Sequence, residues 1–272
     1  MNNFEFMRYV NIGQYLPTGS IIHHLDARAR IICSVLLIAA FTFTASGAGL
    51  LVGLALVLML LALGRIPLGF ALKGLAAPMP FLLIIAVLQV FFNSVNHAGT
   101  VLLEMGPVII STMDLWMGGR LVLRFVVLIL ALGLTSFTLS TSEMIHGLDA
   151  LMTPLRKIGL PTHDLVLMVQ VTLRFLPYLA QAAEKIAKAQ ASRGAEWGTG
   201  KGGLLTRVRQ VIPLLVPLFL ISLRKAENLA LAMDARGYTG ENRTSMFESR
   251  FRPMDALAIL LALLVSAAVI IL

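Results

Sequence analysis

The stretch IICSVLLIAAFTFTASGAGLLVGLALVLMLLALG, residues Ile31 to Gly64, decides the fold class. It holds no charged residue. As one helix at 1.5 Å per residue it would reach about 50 Å, against a hydrocarbon core of about 30 Å. Two spans are therefore expected. The small-residue cluster Ala45, Ser46, Gly47, Ala48 and Gly49 lies at the middle as a tight reversal, because glycine lets the chain turn. The rest of the chain has the same character. It is 272 residues long, 58% hydrophobic and 13% charged, with a mean hydropathy of +0.86, and a soluble interior cannot hide that much apolar surface. The apolar runs are unbroken and rich in Leu, Ala and Ile, so helices satisfy the backbone in lipid and a barrel of alternating strands does not fit. The fold class is an all-α integral membrane protein.

Working outward, Gly74 to Val95 gives a third span with Pro78 and Pro80 early in its course. Phe125 to Ser142 gives a fourth, beginning a turn or two earlier, and Ala256 to Leu272 a fifth. His23, His24, Asp26, Arg28 and Arg30 precede any apolar run, which is not the order of a cleavable signal peptide, so the first span is expected to be its own anchor. With the N-terminus inside, all but two of the 22 Lys and Arg residues fall on the cytoplasmic side, as the positive-inside rule requires. That placement also explains the net charge of +8 without nucleic acid as a partner. The two exceptions, Arg120 and Arg124, either snorkel to the outer interface or hold a buried intramembrane role. The single Cys33 excludes a disulfide framework within the chain.

Between Ser142 and Pro253 lie two further apolar stretches, Leu165 to Leu173 and Val211 to Leu223, each shorter than the roughly 17 residues a spanning helix needs. If both crossed, Lys185, Lys188, Arg193, Lys201, Arg207 and Arg209 would lie outside, against the orientation. Each runs on into a charged tail of strong helix formers that ends in glycine. Helices over Thr162 to Gly194 and Gly203 to Gly237 are expected, each about 50 Å long if continuous, with Pro177, Pro213 and Pro217 as kinks. A short helix from about Thr141 to Leu151 precedes them, started by a capping box of Ser140 and Glu143. The two long helices end alike, in Ser192-Arg193-Gly194 and Ala235-Arg236-Gly237. One arginine before a glycine cap is ordinary helix-end chemistry. Two at matched ends point to docking: the guanidinium offers a planar fork of donors to a partner's carboxylates or carbonyls, and glycine lets that partner approach the backbone.

At these residues the sequence resembles the transmembrane T subunit of energy-coupling factor transporters, importers of vitamins and transition-metal ions. The resemblance covers nearly the whole chain: SIIHHLDARARI (Ser20 to Ile31), TLSTSEMIHGLDALMTPLRKIGLP (Thr138 to Pro161), LRFLP (Leu173 to Pro177), AQASRGAE (Ala189 to Glu196) and AMDARGY (Ala232 to Tyr238). It implies a noncatalytic scaffold in the cell (inner) membrane, with long cytoplasmic coupling helices that cross one another. Arg193 and Arg236 would each dock on one of two cytoplasmic ATPase subunits. The membrane part would embrace a separate substrate-binding S subunit. Ser192 departs from the family's more usual alanine but is likewise small. The implied division is a cytoplasmic segment 1–30, a four-span region 31–141, a coupling domain 142–252 and a last span 253–272. No cofactor is implied.

Other constellations fall short of chemistry. GTGKGG (Gly198 to Gly203) has Ala195 where a phosphate-binding loop needs glycine and Gly202 where it needs serine or threonine, so it reads as a flexible turn. His23, His24 and Asp26, His146 with Asp149, and His163 with Asp164 match no recognised ligand spacing. Two other classes remain: a pore-forming permease of an ATP-binding-cassette transporter, which usually carries one short coupling helix, and a membrane enzyme, for which no convergent catalytic set is present.

Overall fold

The computed structural model describes residues 15–92, 100–105, 108–156, 159, 162–194, 204–238 and 251–271. Two compact units emerge: one of Gly13–Leu151 with Glu248–Leu272, the other of Met1–Ile12 with Met152–Phe247. The boundary falls after Leu151, ten residues beyond the junction expected at 141/142. The short helix after Ser140 thus belongs with the membrane helices.

In the first unit, a 3-10 turn Ile21–His24 leads into α1, Ala27–Phe43, whose N-cap Asp26 accepts the Arg28 N–H at 2.9 Å. Helix α2, Gly47–Leu63, begins at Ser46, which accepts from the Gly49 N–H at 3.3 Å. The reversal therefore occupies Thr44 to Ser46, and Gly47 and Gly49 lie inside the helix. They are needed for contact instead of turning. A Cβ on Gly49 would stand 2.7 Å from the Val269 carbonyl oxygen, and one on Gly47 2.7 Å from the Trp116 ring. The third span is broken: α3, Leu68–Ala76, meets α4, Met79–Phe92, at a bend of 60°. Pro78 and Pro80 have no N–H to continue the helical ladder across that junction.

Two short antiparallel strands, β1 Val101–Met105 and β2 Val108–Ser111, occupy part of what reads in sequence as a loop. Then α5, Thr112–Thr138, starts well before the expected position. Its first turn is fixed by a capping box in which Asp114 accepts the Ser111 N–H at 2.9 Å and Ser111 accepts the Asp114 N–H at 3.3 Å. Helix α6, Thr141–Leu151, starts as expected, with the Ser140 N–H donating to Glu143 at 3.0 Å and the Glu143 N–H to Ser140 Oγ at 3.2 Å.

Two pairings set the directions of the membrane helices. The last helix, Pro253–Ile271, here numbered α10 because three more precede it, packs along α1. The Asp26 N–H donates to Asp255 at 2.8 Å at one end, and Thr44 Oγ1 donates to the Val269 carbonyl at 3.4 Å at the other, so α1 and α10 run parallel. Helix α5 runs antiparallel to α1, with Arg30 bonded to Thr138 and Arg124 to Thr44. Leu37, Phe41, Val57, Leu61, Val127 and Val269 form the centre of the core. Large apolar side chains such as Val35, Met59, Phe81 and Leu264 face outward, as lipid contact demands.

The second unit contains α7, Thr153–Arg156, α8, Thr162–Ser192, and α9, Leu204–Asp234. Both long helices are 31 residues, about 46 Å, with Pro177 inside one and Pro213 and Pro217 inside the other. They pack against each other, and Lys225 Nζ sits 4.9 Å from the Tyr178 ring centroid.

By length and composition, three of the described helices can cross a membrane, α5, α8 and α10, or four when the bent pair α3 and α4 counts as one span. At 17 residues each, α1 and α2 sit at the lower limit of spanning length. The molecule is an all-α multi-pass membrane protein apart from the two short strands.

Candidate docking site at the ends of the long helices

The residues Ser192, Arg193, Gly194 and Ala235, Arg236, Gly237 adopt one local structure twice. The Arg193 N–H donates to Gln190 at 3.1 Å and the Gly194 N–H to Ala191 at 3.0 Å. The Arg236 N–H donates to Met233 at 3.1 Å and the Gly237 N–H to Asp234 at 2.8 Å. Each helix thus closes on a tight terminal turn, and each glycine then takes a left-handed conformation, φ 84° at Gly194 and 72° at Gly237. A Cβ at either glycine would meet nothing within 4 Å. Backbone geometry requires glycine there, and the space beside it is open.

All six residues are exposed. Among the described residues no hydrogen bond or ion pair engages either guanidinium. Ser192 turns its hydroxyl back onto its own helix, donating to the Ala189 carbonyl at 2.8 Å, so it presents little more than alanine would. Behind the first motif, Lys188 and Glu184 form an exposed pair at 2.6 Å.

The two arginines left open by the sequence do something else. Arg120 donates to the Ala45 carbonyl at 2.5 Å and lies 5.4 Å from the Trp116 ring centroid, while Arg124 donates to the Thr44 carbonyl at 2.6 Å. They cap the C-terminal end of α1, where unpaired carbonyls attract cations. An i, i+4 pair on one face is the sequence signal, but its target lies some 75 residues earlier in the chain.

The supposed ligands near the N-terminus are structural. His23 Nε2 lies 2.9 Å from the Leu16 carbonyl, its Nδ1 lies 2.7 Å from Ser20 Oγ, and Asp26 caps α1. Among the described residues no group of three or more His, Cys, Asp or Glu could hold a metal ion. The stretch Gly198 to Gly203 lies outside the described residues.

Fold and site together define a class: a multi-pass helical membrane protein whose candidate site is a matched pair of exposed helix ends. A family model described as a cobalt transport protein matches residues 18–246. Proteins named energy-coupling factor transporter transmembrane protein EcfT, from Listeria innocua, Thermosediminibacter oceani and Bacillus subtilis, are 38%, 37% and 35% identical to the chain. The matches cover 97%, 93% and 95% of this chain and 96%, 93% and 96% of the relatives. The chain belongs to this family of transmembrane components of energy-coupling factor transporters.

Proposed function

We propose that the chain is the noncatalytic coupling subunit of an ATP-driven importer of a vitamin or a transition-metal ion. In this reading Arg193 and Arg236 each dock on one of two cytoplasmic ATP-binding-cassette ATPase subunits, which hydrolyse the ATP. The membrane helices hold a separate substrate-binding S subunit, and α8 and α9 carry ATPase motion to it. The observation that carries the reading is the duplicated end: two helices of equal length closing on the same hydrogen bonds, the same left-handed glycine and an exposed arginine. Helix-end electrostatics accounts for one arginine but gives no reason for matched, unengaged copies. A pore-forming permease, with one short coupling helix, fits two 31-residue helices less well.

The topology of the membrane unit supports a cytoplasmic lever. Helices α1 and α10 run parallel and α5 antiparallel, so the end of α5 and the starts of α1 and α10 share one side of the bilayer. The chain between α5 and α10 then crosses an even number of times. That parity argues against a single crossing by α8, although α8 is apolar enough by composition. A double crossing would strand six basic residues outside, which favours a helix pair that does not cross and a cytoplasmic N-terminus.

The test is copurification of the tagged chain with its ATPases for wild type, Arg193→Ala, Arg236→Ala and the double variant. Loss of the ATPases from a normally inserted double variant is expected. Full retention would reduce both motifs to helix caps and overturn the reading.

A further inference from the structure

Helix α6 is bound to the first turns of α1 more firmly than its 11 residues would suggest. Arg30, with a side chain 5% exposed, sits in α1 and sends Nη2 to Glu143 Oε1 at 3.2 Å, while its Nη1 donates to the Thr138 carbonyl at 2.5 Å. The same carboxylate accepts the Ser140 N–H and so starts α6. A single buried guanidinium thereby joins the beginning of α1, the end of α5 and the beginning of α6. One turn on, Gly147 is buried so closely against α1 that a Cβ would stand 2.8 Å from Ile31 Cδ1 and 3.1 Å from Ala27 Cβ.

Stability alone explains this poorly. A buried arginine is costly to desolvate, its Nε has no partner, and well-packed apolar residues commonly hold helices together as well or better. What the arrangement provides is a fixed direction for α6. After Leu151 the chain leaves the compact unit of membrane helices, and α8 begins at Thr162. Helix α6 is therefore the last element seated on the membrane helices before the long ones start.

We propose that Arg30, Glu143 and Gly147 form the mount of the lever: they seat α6 on α1 so that movement of α8 and α9 is passed to the membrane helices. They are positioning residues, and the proposal rests on the coupling reading above. Without the mount, α6 would shift on α1 and the membrane helices would no longer follow ATPase motion.

The test uses the full chain assembled with its two ATPases in lipid nanodiscs. Cys33 is replaced by Ala, and an environment-sensitive bimane is placed on single cysteines at the exposed positions Val35, Met59 or Leu264. Three quantities are read: ATPases copurified, ATP hydrolysed, and the bimane change on adding ATP with vanadate. In Glu143→Ala and Gly147→Leu the bimane change is expected to fall at least fivefold, with copurification and hydrolysis kept. Glu143→Gln, which keeps an acceptor for Ser140 but no charge, falls between. A disulfide between Ala27→Cys and Gly147→Cys, whose Cβ atoms at 3.1 Å need only a small separation to reach the usual value of about 3.8 Å, restores the signal in the Glu143→Ala chain, and reduction abolishes it. An unaltered bimane change in every variant overturns the mount. So does loss of ATPase binding together with the signal, which makes the contact ordinary packing. No ATP-dependent change at any position in wild type overturns the coupling reading itself.

Discussion

Gly194 and Gly237 are set by backbone conformation alone, since open space surrounds both while φ is positive at each. A side chain in the left-handed region costs about 1–2 kcal/mol, least for Asn and most for a β-branched residue. Gly237→Asn, Gly237→Ala and Gly237→Val should therefore weaken ATPase copurification in that order, with membrane insertion unchanged. Arg236→Lys should rescue little, because an ammonium lacks the planar fork. The sequence makes these glycines legible, since arginine-glycine ends recur at two comparable places. It gives no such sign at Arg65, which adopts φ 52° although Gly64 beside it would do so more cheaply. Gly64 is instead right-handed, its carbonyl accepts from Thr18 Oγ1 at 2.6 Å, and Ile66 closes the turn onto Leu61 at 3.0 Å. Those bonds come from distant or later residues, which local pattern reading does not include. Arg65→Gly should raise stability by about 1 kcal/mol, seen as a higher Tm in detergent.

Among the helices, packing explains where sequence reading succeeded and where it went astray. The apolar runs located the helices because lipid and core both select for them. The small-residue cluster at 45–49 reads as a turn because glycine permits both reversal and close approach, and only the neighbouring helix decides between them. At Gly49 that neighbour is the Val269 carbonyl, a backbone atom unable to rotate away. Gly49→Val should push α2 from α10 and cost about 1–3 kcal/mol, measured as a lower Tm. Gly69→Ala, with nothing within 4 Å of its added Cβ, should be nearly neutral. The early start of α5 was written in Ser111 and Asp114, a capping box hidden behind an apolar segment that reads as loop or strand. The Ser140–Glu143 box was legible because the chain before it ends a long apolar run. Burial pushes the Glu143 carboxyl up, but the Ser140 N–H and the Arg30 guanidinium outweigh it, so the group titrates below its ordinary range. A depressed folded-state value means stabilisation present above the unfolded value of about 4.3 and lost as pH falls through the folded one. The Tm advantage of wild type over Glu143→Gln should thus vanish on acidification, modestly in size because the carboxylate is 38% exposed.

For the molecule as a whole, direction is the quantity that matters, and it follows from two hydrogen-bonded pairings and a count of charges. Sequence supplied the charges: an excess of Lys and Arg on one side orients a membrane chain without any structure. It also argues against a crossing by α8, whose apolar stretch Leu165 to Leu173 is short and whose charged tail would lie outside. The parallel pairing of α1 with α10 argues against a single crossing, since Asp26 bonds to Asp255 at one end and Thr44 to Val269 at the other. Positive charge argues against the double crossing. The consequence is an accessibility pattern with no free parameter. In a chain carrying Cys33→Ala, single cysteines at His24, Ser192, Ala235 and Arg252, all exposed, should react with an impermeant maleimide from the cytoplasmic side. A cysteine at the exposed Ala45, beyond the end of α1, should react only from the other. Labelling of Ser192→Cys with Ala45→Cys, while His24→Cys and Arg252→Cys stay together on the opposite face, would mean that α8 and α9 both cross. Arg193 would then face away from any cytoplasmic ATPase, on the side opposite Arg236. The expected grouping leaves Arg193 and Arg236 on the cytoplasmic side, as the proposed docking requires.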